Sequence, residues 1–438
     1  MRDRLRDAAR SYRDGLENGS FDWHHMLRAL RWRNFRIYFI GQAFSLTGTW
    51  MQRVALGWLV YRLTDSETML GLVSFAGRIP NLLILPFSGV LADRANRHRV
   101  MMVARGFAML QAAGLAALVL TGAVRIWHVI ALSLAMGVIF AMDAPSRQAF
   151  IYQVIGDRAD LSNAVALHSA VFNLARLVGP ALAGLLVALA GEGPVFAVNA
   201  LSYLVVLGAL AMVRVDPPPA SRGGGTLHKL REGLSYASRT PPVRAILLLL
   251  LATSLLAFPY LVLMPAFARG VLGGDARTLG WLMGSVGAGA LVGAAFISSR
   301  RDNLFLWHQI PVSGITLGLG IALFSLSRSV PLSCCLLVLP GFGLMTLMAC
   351  CNTVLQSLVP EEARGRVMSL YYLSFLGVMP IGSLVMGALA EHFGTSSTVM
   401  VGGLLSTVAS LLFAAQIGSI RCCGSGLYGE ADQGRAQV

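Results

Sequence analysis

The sequence predicts an all-α membrane protein whose twelve transmembrane helices form two six-helix pseudo-repeat bundles. Three observations predict it. The chain has 438 residues, 55% hydrophobic and only 13% charged, where soluble domains carry about 25% charged residues; the missing polar surface faces lipid. Twelve apolar runs reach the ~20 residues that a bilayer-spanning helix needs. Most of the basic residues, 27 of 35, gather in alternate connections between those runs.

The runs lie near 35–62, 68–91, 100–121, 127–150, 163–190, 194–213, 244–268, 278–299, 304–326, 331–358, 366–390 and 396–418. Five segments follow: a basic N-terminal stretch (1–34), a six-helix bundle (35–213), a linker (214–243), a second bundle (244–418) and a tail (419–438). Residues 1–33 are charged and hold no apolar core of the signal-peptide kind, so the first run is expected to act as its own insertion signal. A basic surface helix is the expectation for that stretch. The linker opens with Pro217-Pro218-Pro219 and Gly223-Gly224-Gly225, and Leu227 to Ser238 reads as a short amphipathic helix at the membrane surface.

Orientation follows from the arginines. With the N-terminus inside, 27 of the 35 basic residues fall in inside segments and four (Arg125, Arg269, Arg277, Arg328) in outside ones. Arg105 is counted with Arg94, Arg97 and Arg99 in the inside group. Both termini are expected in the cytoplasm of a bacterial cell, with the chain in its inner membrane. The net charge of +14 is absorbed by this topology and by anionic lipid, so no nucleic-acid partner is expected.

The halves read as repeats. Leu70-Gly71 corresponds to Leu279-Gly280 and Asp93 to Asp302 at an offset of 209; Gly179 and Gly184 correspond to Gly382 and Gly387 at 203. Duplicated halves are the mark of carriers that rock about a central site.

The six cysteines form adjacent pairs (Cys334–Cys335, Cys350–Cys351, Cys422–Cys423) without zinc spacing. No metal and no cofactor are expected, and inert thiols are the reading. No phosphate-binding loop, nucleophile elbow or paired catalytic carboxylate is found, so an enzyme is not expected.

Between the second and third runs stands Gly89-Val-Leu-Ala-Asp93-Arg94-Ala-Asn96-Arg97-His98-Arg99. This stretch resembles the loop motif of the major facilitator superfamily, with Asn96 in place of its second glycine and His98 in place of a basic residue. The resemblance covers about residues 35 to 418. It implies that fold, alternating access, and a latch of Gly89, Asp93, Arg94 and Arg97. Asp93 would sit by the N-terminus of the eleventh helix, where the dipole favours an anion. Arg97 would reach a carboxylate of the fourth helix, with Asp143 the candidate; Asp143 and Arg147, four apart, share a face and can pair.

Asn173-Leu-Ala-Arg176-Leu-Val-Gly179-Pro180-Ala-Leu-Ala183-Gly184 is similar to the exporter motif of the superfamily. Gly179, Pro180 and Gly184 would kink the fifth helix and let a neighbour approach closely. With Arg364-Gly365-Arg366-Val367-Met368-Ser369, these segments resemble the branch that holds the enterobactin exporter. That likeness implies export, commonly by proton exchange, with the proton gradient as energy source.

Ionisable residues inside spans mark pathways by default. Arg53, Arg78 and Arg176 are expected to line a central cavity, with Gln52, Asn173, Asn352 and Gln356 as polar companions. Such an electropositive cavity suits an anionic or phenolic small molecule, such as a siderophore. No carboxylate occurs in the first run, and Asp143 and His168 are the groups considered for proton coupling. Glu391, at the end of the eleventh run, is read as outside the core. A broad drug or macrolide exporter is a second reading, and a non-transporting receptor or assembly factor a third. A monomer is expected.

Overall fold

The computed structural model describes residues 27–94, 97–213, 226–300 and 303–435, and every regular element among them is helical. The long helices are α1 (Arg33–Thr64), α2 (Glu67–Arg94), α3 (Arg97–Leu120), α4 (Ile126–Val154), α5 (Leu161–Ala190), α6 (Glu192–Met212), α7 (Pro241–Val271), α8 (Ala276–Ser298), α9 (Asn303–Leu326), α10 (Val330–Leu358), α11 (Glu361–Phe393) and α12 (Thr395–Arg435). Among the described residues, ten of these, α3 to α12, are long and apolar enough to cross a membrane. The other two, α1 and α2, pack in the same bundle. Gln42, Ser45, Thr47, Thr49, Gln52 and Arg53 break the apolar surface of α1.

Helices α1–α6 form one bundle and α7–α12 the other. In the first, α1 packs on α5 and α6, α2 on α4, and α3 on α4 and α6; in the second, α8 and α9 pack on α10, and α12 on α9 and α7. The halves meet at two crossings, α5 with α8 and α2 with α11. The crossings are glycine contacts. A Cβ on Gly184 would lie 2.6 Å from the Ala276 carbonyl and 2.8 Å from Gly280 Cα; one on Gly387 would lie 2.6 Å from the Glu67 carbonyl. Small residues allow helix backbones this near to one another. Gly71 and Gly280 are repeat mates, as are Gly184 and Gly387. Each glycine meets the mate of its partner's counterpart, as a two-fold relation between halves requires.

Two spans expected as plain helices are broken. In α7, a 3₁₀ turn at Phe258–Leu261 and a π turn at Phe267–Val271 surround Pro259 and Pro265. In α11, a π turn at Leu373–Gly377 precedes Pro380. Proline removes an N–H and crowds the carbonyl four residues back, and a widened turn absorbs both effects. The breaks face each other. Ser254 Oγ donates to the Phe375 carbonyl at 2.6 Å, and Phe258 meets Phe375 edge-on at 5.1 Å.

The linker helix runs Thr226–Arg239, and residues 214–225 lie outside the described residues. Its Glu232 accepts from Arg366 of α11 at 2.6 Å, so it is strapped to the second half. We call this end of the molecule the near end. The far end carries the connections after α1, α3, α5, α7, α9 and α11.

Of the stretch 1–33 expected as a surface helix, residues 1–26 lie outside the described residues. Just beyond them, the 3₁₀ turn Arg28–Arg31 docks at the near end on Asp160, at the start of α5. Asp160 accepts from Trp32 Nε1 at 2.8 Å and pairs with Arg28 at 2.7 Å and Arg31 at 2.6 Å. Burial pushes this carboxyl up; the Trp32 hydrogen bond and the two guanidinium groups outweigh that and hold it below the usual carboxylate range. At the other terminus, α12 continues to Arg435, past the expected boundary at 418.

Candidate functional site

Three helices of the first half turn a face toward the second. On α1 that face is Trp50, Arg53, Gly57 and Tyr61, at helical spacing. A Cβ on Gly57 would meet Pro265 of α7 at 3.1 Å, and one on Gly270 would meet Tyr61 Oη at 3.2 Å. On α2 it is Gly71, Arg78 and Leu82, with Gly71 against Ser383 and Leu82 against Gly377 of α11. On α5 it is Arg176, Pro180 and Gly184. The Arg176 and Pro180 carbonyls lie 2.8 Å from where a Cβ on Gly287 and on Gly280 of α8 would sit.

Arg53, Arg78 and Arg176 therefore share the space between the halves. Arg53 stays exposed although Gln52 and Val54 beside it are buried. It lies within electrostatic reach of Arg78, Arg147 and Arg176. Among the described residues, none of the three has a carboxylate at ion-pair distance. Trp50 stands between two of them, with the Arg53 guanidinium 4.7 Å and that of Arg176 6.0 Å from its ring centre. Phe172 meets Trp50 edge-on at 5.8 Å, and Gly179 makes room for it, since a Cβ there would lie 2.7 Å from Trp50 Cβ. Across the interface, the buried Tyr260 of the broken α7 faces Arg176, and its hydroxyl has no partner among the described residues. The product is an electropositive, aromatic-walled site. It is suited to oxygen anions and to aromatic rings.

Other expected site residues are held by polar partners of their own. Gln52 is buried inside the first bundle: its Oε1 accepts from Asn199 Nδ2 at 2.6 Å, and its Nε2 donates to Gln111 Oε1 at 3.0 Å. It ties α1 to α6 and α3. Asn173 donates to the Ser169 carbonyl of its own helix at 2.9 Å. Asn352 and Gln356 pair with each other at 2.5 Å, toward the near end of α10.

The latch expectation is corrected at its centre. Asp143 is held by Arg105 of α3 at 3.0 Å, with Arg147 at 3.8 Å, rather than by Arg97. Arg105 is no loop residue. It stands eight residues into α3, about 12 Å along the axis, and it is 6% exposed. It also donates to Ser45 Oγ at 3.2 Å. The count of basic residues by segment places it with the inside connection, because Arg97, His98 and Arg99 stand just before it and hydropathy does not fix how deep the helix start lies. Gly89, Asp93 and Arg94 belong to α2, and their side chains lie outside the described residues.

Trp50 and Tyr260 were missed. Trp50 could have been found, because it lies three residues before Arg53 on one face. Tyr260 could not, because the break that presents it has no periodic signature.

Residues 25–421 match the model of a family described as transmembrane secretion effector. The chain belongs to that family, within the major facilitator superfamily. As one of its transporters, it resembles the staphyloferrin A transporter of Staphylococcus aureus, 26% identical over 86% of this chain and 94% of that one. The multidrug efflux pump Tap of Mycolicibacterium fortuitum is 26% identical over 79% and 87%. The enterobactin exporter EntS of Citrobacter koseri is 25% identical over 88% and 92%. Among solved structures, a POT family transporter in complex with 5-aminolevulinic acid superposes with a TM-score of 0.70 at 12% identity, covering 89% of this chain and 96% of that one. The nucleoside transporter NupG does so with 0.66 at 16%, over 87% and 98%. These two establish the fold alone. The protein is a multi-pass membrane transporter and not an enzyme.

Proposed function

We propose that this transporter exports a small anionic or phenolic molecule of the siderophore kind, by alternating access coupled to protons. The observation that carries the reading is Trp50 between Arg53 and Arg176, beside Arg78, on the faces turned to the other half. Guanidinium groups hold carboxylate and catecholate oxygens by charge-assisted hydrogen bonds, and the indole offers a face to a ring. The siderophore relatives support this substrate class. The Tap relative favours a second reading, a broad drug exporter, in which Trp50 and Phe172 bind apolar cations and the arginines are structural.

On this proposal the near end faces the cytoplasm of a bacterial cell, since the basic connections gather there, and both termini lie on that side of the inner membrane. The working unit is a monomer that needs no cofactor beyond the proton gradient.

The test is flux from proteoliposomes under an imposed pH gradient, with a labelled catecholate siderophore beside a cationic dye. Gradient-dependent siderophore movement that drops in Arg53→Gln and Arg176→Gln supports the proposal. Movement of the dye alone supports the drug exporter. Siderophore flux indifferent to Arg53→Gln, Arg78→Gln and Arg176→Gln sinks the arginine site.

A further inference from the structure

The far end holds a set of contacts between the halves that the transport reading has not used. Glu391, at the end of α11, accepts from Ser66 Oγ at 2.5 Å and from the Thr68 backbone N–H at 2.9 Å. Both donors lie at the start of α2 in the opposite half. In return, Glu67 at the start of α2 accepts from Thr395 Oγ1, at the start of α12, at 2.9 Å. A third pair, Asp65 with Arg269 of α7, spans 3.4 Å. All three lie beside the Gly71–Gly387 crossing.

The first contact is a helix cap supplied by the wrong half. The opening N–H groups of a helix need an acceptor, which is ordinarily the residue just before it. Helix α8, the repeat mate of α2, is capped in this ordinary way: Asp275 Oδ1 accepts from the N–H groups of Arg277 at 3.0 Å and Thr278 at 3.1 Å. The repeat offset of 209 places Ser66 where α8 has Asp275. Ser66 Oγ accepts from the Met69 N–H at 3.2 Å, and its own proton goes to Glu391. The Thr68 N–H, which would bond to a longer carboxylate at position 66, bonds to Glu391 instead.

We propose that Glu391, with Glu67 and Asp65, is the far gate of the transport cycle, and that the Thr68 N–H at the start of α2 has its carboxylate acceptor only while this gate is shut. Opening the far end separates α11 from α2 and leaves the Thr68 N–H without its carboxylate. The closed state is therefore favoured by a contact that its repeat mate, the α8 start, does not need. The gate residues act on the conformational equilibrium and do not touch the substrate. The proposal rests on the transporter assignment and is independent of the substrate proposed above.

The test reads conformation without substrate. Spin labels at Thr121 and Ser329, both exposed at the far end of opposite halves, would be placed in the purified full-length chain with its six cysteines replaced. Glu391→Ala, which removes the acceptor, and Glu67→Ala should each raise the population of long far-end distances, by about fivefold for loss of one such contact. Ser66→Asp should do the same, because it caps α2 from its own chain and repels Glu391. Adding Glu391→Lys to Ser66→Asp should restore the short distance by attraction. Distances unchanged in all three single variants overturn the proposal. Long distances that Glu391→Lys fails to reverse also overturn it, since charge contact is then not what holds the gate. Amide exchange at Thr68 in Glu391→Ala gives a label-free check: exchange no faster than in the unsubstituted chain argues against the shared cap.

Discussion

Replacing Gly184 with alanine tests the crossing that joins the halves. The new Cβ would stand 2.6 Å from the Ala276 carbonyl oxygen and 2.8 Å from Gly280 Cα. Ordinary contact begins at 3.4 Å, so the shortfall is about 0.8 Å. Both neighbours are backbone, so no side chain can swing aside and the helices themselves must part. Overpacking of this kind costs about 1–3 kcal/mol. Against it stands a gain of up to ~1 kcal/mol from alanine over glycine in a helix. The control is Gly208 in α6, exposed and with nothing within 4 Å of an added Cβ, where only the gain applies. Thermal unfolding of the purified protein should therefore place Gly184→Ala below, and Gly208→Ala level with or above, the unsubstituted chain. The second substitution in Gly184→Ala with Gly280→Ala should cost less than it does alone, because the first has already parted the helices. If Gly184→Ala raises the melting temperature as Gly208→Ala does, the α5–α8 crossing is not the close contact described.

Removing one member of the Arg105–Asp143 pair should destabilise the first bundle by about 3–5 kcal/mol, because the other charge is left buried; Arg105→Leu combined with Asp143→Asn should recover part of that in the same unfolding assay. Asp160 has a depressed carboxyl, so its stabilising contribution is complete above the unfolded value of about 3.9 and is lost as pH falls through the lower folded value. Amide exchange at Ala29 should rise over that acid range in the unsubstituted chain and be high already at pH 7 in Asp160→Asn. Trp50→Leu should weaken binding of an aromatic anion by up to roughly tenfold, in keeping with loss of one ring–ring contact of about 0.5–1.5 kcal/mol, as measured by equilibrium binding of a labelled catecholate. Arg366→Ala should free the linker helix from α11 and speed proteolysis between residues 214 and 239, with transport retained if the strap only anchors the linker.

Apolar run length carried the helix order almost whole, because lipid forbids any irregular backbone that protein does not cover. Even the crossings were latent in the repeat offsets that paired Gly71 with Gly280 and Gly184 with Gly387. The face turned to the other half was half legible. Arg53, Arg78 and Arg176 stand out as charges inside apolar runs, but Gln52 looks the same in sequence and instead holds α1 to α3 and α6. Nothing in one helix says which of its polar faces meets a neighbour and which meets the other half; that depends on the crossing angle. Arg105 shows a different limit, since a charged residue near a helix start reads as surface unless the depth of the start is known. The Glu391 carboxylate was set aside as peripheral because its partners, Ser66 and Thr68, are more than 320 residues away in sequence.

The unequal distribution of charge between the halves has a structural consequence. A guanidinium in the bilayer is stable only where protein surrounds it, and the first half meets that need with a stiff polar frame: Arg105 on Asp143 and Ser45, Gln52 on Gln111 and Asn199. The frame fixes α1 against α3, α4 and α6 and so fixes where Arg53 stands. The second half has the opposite character. Its two helices facing this site, α7 and α11, are interrupted at Phe258–Leu261 and Leu373–Gly377, where backbone hydrogen bonds are already rearranged and little more is lost by bending. Tyr260 sits in one of these breaks, within electrostatic reach of Arg176. On the function proposed above, a ligand held by the arginines meets a rigid wall on one side and a hinge-like wall on the other. The coupling of binding to motion is accordingly expected at Tyr260 and Ser254, not among the arginines. Ser254→Ala removes the hydrogen bond that joins the two breaks, and it should change transport rate while leaving the affinity of the arginine site unaltered.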